Sequence, residues 1–182
     1  MNAVSRFSAI TLKKLVGVDG ELKSLNDLWR YGIKVFDKTT YNNLPSFQAK
    51  DVGVVYAIEM GDKVKIGFST NPLKRYKSFI GNSRYGNIEL GRIAISKFHF
   101  NYKENEKQLH SLFKKYRKTQ TELFDISLIK ATTQICKLHF DIEGSLRDNT
   151  HRRVFVGLCT MLGMTEEDSY NWFEELWNKK QR

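Results

Sequence analysis

Tyr56 and Lys65 lie in the stretch Val54 to Phe68, which reads as two short strands joined by a turn at Gly61-Asp62. Ser69-Thr70-Asn71-Pro72 then forms a helix start, with a polar cap ahead of a proline whose missing N–H costs little. The helix that follows carries Lys74, Arg75, Lys77 and Arg84, and no acidic residue as far as Tyr85. Farther along, Glu106 and His110 are spaced to share one helical face, and Glu122 precedes Leu123-Phe124. Phosphodiester hydrolysis needs a nucleophilic water, a base, a cation for the charge at phosphorus, and an acid or metal at the leaving oxygen. These residue types supply those parts. Arg75 offers a planar fork that grips phosphate bidentately, which lysine cannot copy. Each residue also has a plainer reading. A strand tyrosine is ordinarily core, Lys65 faces solvent, Glu106 and His110 form a surface pair, and Glu122 caps a turn.

The order of these motifs resembles the GIY-YIG nuclease superfamily. Gly53-Val54-Val55-Tyr56 stands for its first motif, Lys65-Ile66-Gly67 for its second, and Arg75 for its helix arginine. Glu106-Lys107-Gln108-Leu109-His110 followed by Glu122-Leu123-Phe124 is similar to the lysine-bearing, phage-type branch, which also occurs in a yeast meiotically up-regulated protein. The resemblance spans about residues 52 to 126. It implies a metal-dependent endonuclease in which Tyr56 acts as general base or contacts the nucleophilic water. Arg75 would bind the scissile phosphate, and Glu106 would hold one divalent metal, Mg²⁺ (or Mn²⁺). His110 would contact phosphate or assist proton transfer. Glu122 falls where many relatives place an asparagine and would be a second acid or a hydrogen-bond anchor. The superfamily's second tyrosine is replaced by Lys65, which would tune Tyr56 as a neighbouring cation or itself take a proton.

The net charge of +10 suits a polyanionic partner, and nucleic acid is the simplest one, DNA ahead of RNA. Lys74, Lys77 and Arg84, with Glu122 as an anchor, are the expected nucleic-acid contacts. Only Cys136 and Cys159 are present, without a C-x-x-C pair, so neither a disulfide framework nor a zinc knuckle is expected. No uncharged run approaches membrane-spanning length and the first residues lack a secretory pattern. A cytoplasmic location follows, that of the host if the chain is phage-encoded.

The expected fold class is α+β: a small three-stranded antiparallel sheet flanked by helices, with helical extensions at both ends. The third strand is expected over Ile88–Phe100, a loop over Gly81–Asn87, and helices over Tyr102–Lys118 and Ser127–Phe140. The corresponding divisions are 1–50, an amino-terminal extension; 51–142, the nuclease-like domain; and 143–182, a helical tail. In the first, Ile10, Leu12, Leu15 and Val16 share a helical face, and Ser24 could cap a short helix through Trp29. In the tail, Thr165 and Asp168 form a capping-box-like start to a helix whose aromatic face includes Tyr170, Trp172, Phe173 and Trp177. That face either packs on the domain or docks a partner, including a second copy in a homodimer. Two other functions remain open on sequence grounds: a non-cleaving nucleic-acid-binding module, and a phage-type inhibitor acting through the aromatic tail.

Overall fold

A computed structural model describes residues 17–25, 28, 32–46, 52–86, 88–119 and 121–141, and in the tail residues 165, 167, 168 and 171. The side chains of Arg84 and Tyr85 lie outside this description. The elements run β1 (Ile33–Phe36), β2 (Val54–Met60), β3 (Lys63–Ser69), α1 (Pro72–Gly86), β4 (Leu90–Ser96), α2 (Tyr102–Leu112), β5 (Leu123–Phe124) and α3 (Leu128–Ile135). The class is α+β, as expected, but the antiparallel sheet has five strands rather than three, in the order β1-β4-β2-β3-β5. Two short edge strands account for the difference. β1 belongs to a segment expected to be an extension, and it pairs Ile33–Phe36 with Ser96–Ile93 of β4. β5 contributes only two residues, opposite Val64 and Lys65.

Both faces of the sheet are covered, which explains the unbroken apolar run of β2. Val54, Tyr56 and Ile58 pack with Ile93 and Ile95 beneath Tyr76 and Phe79 of α1. Val55, Ala57, Val64, Ile66 and Ala94 pack on the opposite face, against Leu109 of α2 and Leu128, Ala131 and Ile135 of α3. Helix α1 begins where the sequence places it: Asn71 Oδ1 accepts the Lys74 backbone N–H at 3.0 Å. It continues through Gly81 to Gly86 instead of yielding to a loop. A helical glycine costs about 1 kcal/mol relative to alanine. The buried Phe79, with Ile80 beside it, favours continuation by more than that. α2 stops at Leu112 and passes into a 3-10 turn at Lys114–Tyr116, six residues short of the expected end.

Asn101, expected to cap α2, makes no side-chain cap bond. Its amide instead donates to the His139 carbonyl at 3.1 Å and its carbonyl accepts from the Asp141 N–H at 2.9 Å, tying the end of the described domain to the start of α2. Ser127 does cap α3, accepting from the Lys130 N–H. In the tail, Thr165 Oγ1 accepts from the Asp168 N–H at 3.1 Å and donates to the Asp168 carboxylate, giving the expected helix start. The aromatic helix face beyond it, the helix expected near Ile10 and most of the short helix expected from Ser24 through Trp29 lie outside the described residues.

His99 closes the β2–β4 junction. Its backbone exchanges two hydrogen bonds with Gly53, and its ring is fully buried between Phe140 and Tyr102. The Lys97 carbonyl, 2.8 Å from Nδ1, can only accept, so Nδ1 carries the proton and Nε2 is left buried without a partner. Burial therefore holds the imidazole neutral, with its pKa lowered from 6.5 to about 4. The unfolded chain binds this proton more readily. Stability is thus complete above the unfolded value and declines as pH falls from 6.5 toward about 4. The whole effect amounts to about 3 kcal/mol. Urea midpoints at about pH 7 and about pH 5 should differ accordingly. In His99→Phe this part of the pH dependence should vanish.

Candidate active site

The two-residue turn at Gly61-Asp62, with Gly61 at φ +62°, fixes the hairpin register so that Tyr56 lies opposite Gly67. Gly67 sits inside β3 rather than at its end. A Cβ there would lie 2.6 Å from the Tyr56 hydroxyl and 2.8 Å from the ring carbon that bears it. The tyrosine side chain therefore crosses the strand through the space a side chain would fill. This directs the hydroxyl toward the outer edge of β3. β5 covers β3 only at Val64 and Lys65, with one further backbone bond from Ile66 to Glu122, so beyond Ile66 the strand is paired with β2 alone and its outer side has no strand neighbour among the described residues.

Side chains from both layers of helix meet at that edge. From α1, Arg75 Nε donates to the Tyr56 hydroxyl at 3.3 Å, and its guanidinium lies 4.9 Å from the centre of the Phe79 ring. Lys38, Lys63, Lys65, Arg92 and Lys130 are all ion-paired, whereas Arg75 is paired with no carboxylate among the described residues. It is a cation held by a phenol and a ring, and Glu122 feels its charge without bonding it. From α2, His110 Nε2 lies 3.0 Å from the Ile66 carbonyl and 3.2 Å from Glu106 Oε1. Both partners accept, so Nε2 carries the proton and Nδ1 is the basic nitrogen of the neutral ring. The Ile66 carbonyl is open to His110 because β5 has already ended. From the approach to β5, Glu122 binds the Lys65 ammonium. Pairs this exposed contribute at most about 1 kcal/mol. The bond matters more for positioning Lys65 than for stability.

The six residues interact through charge. Burial pushes the Tyr56 hydroxyl above its ordinary value of 10.0, opposed by Arg75 and reinforced by Glu122 and Glu106. Tyr56 is therefore a protonated phenol in the free protein. Lys65, expected between Tyr56 and Arg75 as a tuning cation, is engaged by Glu122 instead. Burial raises the Glu106 carboxyl, which His110 lowers and Glu122 raises further. Glu122 is held below the carboxylate range chiefly by Lys65. Among the described residues no three His, Cys, Asp or Glu side chains are placed to hold a metal. A divalent ion would rest on Glu106 with water and substrate oxygens. That suits Mg²⁺, which keeps several waters, and a carboxyl raised by burial gains from a nearby cation. Lys74 and Lys77 are exposed on α1, and Arg84 is in the same helix with its side chain outside the described residues.

Gly67 was not apparent from the sequence as a site residue. The signal was present, because a two-residue turn at Gly61-Asp62 makes Tyr56 and Gly67 direct partners. Gly67→Ala should force the Tyr56 side chain off the strand and lower stability by about 1 to 3 kcal/mol. Adding Tyr56→Ala removes the obstruction. The double variant should therefore be more stable than the sum of the two single changes by at least about 1 kcal/mol in urea denaturation.

No curated protein and no solved structure is significantly similar to the chain. A protein-family model does match, and its limits enclose the hairpin, α1, α2 and every residue of the cluster: residues 53–138 are similar to the T5orf172 domain, a phage-type domain.

Proposed function

We propose that the protein is a metal-dependent endonuclease of the GIY-YIG type that hydrolyses phosphodiester bonds, with DNA as its substrate. The observation that carries this reading is Arg75. Its guanidinium is bonded to no carboxylate among the described residues and is oriented by the Tyr56 hydroxyl at 3.3 Å, and the same hydroxyl feels the charge of Glu106, the carboxylate bonded to His110. The phage-type T5orf172 match, a nucleic-acid-related assignment, and the net charge of +10 support the same reading.

The residues divide the reaction as follows. Arg75 grips a non-bridging phosphate oxygen and stabilises charge as it builds at phosphorus. The Tyr56 oxygen accepts from Arg75 and keeps a second lone pair for a hydrogen of the attacking water, so it positions the nucleophile. As the water oxygen bonds to phosphorus, its proton passes to Nδ1 of His110, whose tautomer is set by Glu106 and Ile66. The bond to the leaving oxygen breaks, and that oxygen takes a proton from the Lys65 ammonium held by Glu122. A divalent ion on Glu106 would supply further charge stabilisation. Lys74, Lys77 and Arg84 on α1 would bind flanking phosphates.

Tyr56→Phe and Arg75→Lys should each lower the cleavage rate of labelled DNA by at least about a hundredfold, with melting temperatures within a few degrees of the parent. Glu106→Gln should abolish cleavage while leaving DNA binding intact or tighter, since it removes a negative charge that faces phosphate. The parent's rate should also fall on the acid side with an apparent pKa above 4.5, because burial raises Glu106. Full activity in Tyr56→Phe, or in Glu106→Gln, contradicts the assignment of that residue.

Neutralising Lys74 and Lys77 should flatten the plot of log affinity against log salt by roughly one unit for each phosphate the variant no longer binds. An unchanged slope places the binding surface away from α1.

A further inference from the structure

Phe68 departs from the pattern of its strand. Val64, Ile66 and Phe68 point alternately to one face of β3, and the first two are buried. Phe68 is 39% exposed. One side of it is supported by Tyr102, the first residue of α2, with ring centres 5.2 Å apart. Tyr102 is itself buried and fixed from behind, since a Cβ on Gly53 would meet its ring at 2.9 Å. A rigid aromatic pair therefore presents part of a phenylalanine ring to solvent at the open edge of β3.

Its position is set by α2. Tyr102, Glu106 and His110 are spaced by four and form one stripe of that helix. Tyr102 meets Phe68 and His110 meets the Ile66 carbonyl, so Glu106 lies between them, beside Gly67. One helical turn from Tyr102 to Glu106 is about 6 Å. That is nearly twice the roughly 3.4 Å rise per nucleotide of a duplex strand, so the neighbouring base reaches the platform only when it is unstacked. The Lys103 ammonium, 5.6 Å from the centre of the Tyr102 ring, supplies positive charge beside the platform.

We propose that Phe68, backed by Tyr102, is a stacking platform for an unpaired nucleobase one nucleotide away from the cleaved phosphate. The preferred substrate is then DNA that is single-stranded or unpaired at the cleavage position. A base inside an intact duplex is already stacked and cannot offer its face to a side chain. The occupant is a nucleobase rather than an apolar protein surface, because the platform adjoins the Lys103 ammonium and the chain carries a net charge of +10. This inference rests on the nuclease reading for the position of the phosphate.

The full-length protein is titrated, in EDTA, into a single-stranded oligonucleotide containing 2-aminopurine and into the matched duplex. Stacking should quench the single strand's fluorescence. Phe68→Leu, which keeps an apolar side chain, should remove most of that quenching and weaken single-strand binding by about tenfold, with duplex binding changed less than about twofold. Phe68→Trp should restore both. Unaltered quenching in folded Phe68→Leu, or equal weakening on single strand and duplex, overturns the proposal. If the parent protein fails to cleave any DNA with Mg²⁺ while quenching still depends on Phe68, the platform stands and the nuclease reading falls. Cleavage that is indifferent to strand pairing and to Phe68 has the reverse meaning.

Discussion

The crossing of Tyr56 over Gly67 is the contact on which the site depends. β2 is buried on both faces, so a polar group carried there would ordinarily be confined to the interior. The ring follows the space left by a missing side chain and brings its hydroxyl to the strand edge, where Arg75 satisfies it. The ring is core and the oxygen belongs to the candidate site. These are the two readings a strand tyrosine admits, and one residue fulfils both. The same contact orients Arg75, since its Nε is bonded and its guanidinium is stacked on Phe79, itself part of the core beneath α1.

The shortness of β5 is the second constraint. A longer partner strand would pair the Ile66 carbonyl and cover Gly67. With only two residues, β5 stabilises the edge at Val64 and Lys65 and then leaves it. The exposed carbonyl is met by His110, and the opening admits side chains from α1 on one face and α2 on the other. Edge strands are generally covered or blunted against aggregation. Here the uncovered part is flanked by Arg75 and the Glu106–His110 pair, which makes it unsuitable for pairing with another strand.

Much of the site was legible in the sequence because its parts are locally encoded. The turn at Gly61-Asp62 sets the register, Asn71-Pro72 starts the helix that carries Arg75, and a spacing of four puts Glu106 and His110 on one face. What was not legible depends on distant pairing. Lys65 is claimed by Glu122, 57 positions away, so its partner was not readable from the hairpin. β1 is a four-residue strand whose partner lies some sixty positions on, beyond the hairpin and α1, and β5 is shorter still. The Asn101 cap failed for a similar reason: residues 139–141 compete for the same side chain. Phe68 reads as one more apolar strand residue until the end of β5 and the start of α2 are known.

The central claim is that this edge cleaves phosphodiesters rather than only binding them. The most direct measurement is incubation of the purified full-length protein with supercoiled plasmid DNA and with labelled single-stranded DNA, in Mg²⁺, in Mn²⁺ and in EDTA. The account predicts nicked or fragmented products in either metal and none in EDTA, with the single strand cut faster. Tight, salt-sensitive DNA binding with no product in any of the three would contradict it, and would identify the cluster as a phosphate-binding site without catalysis.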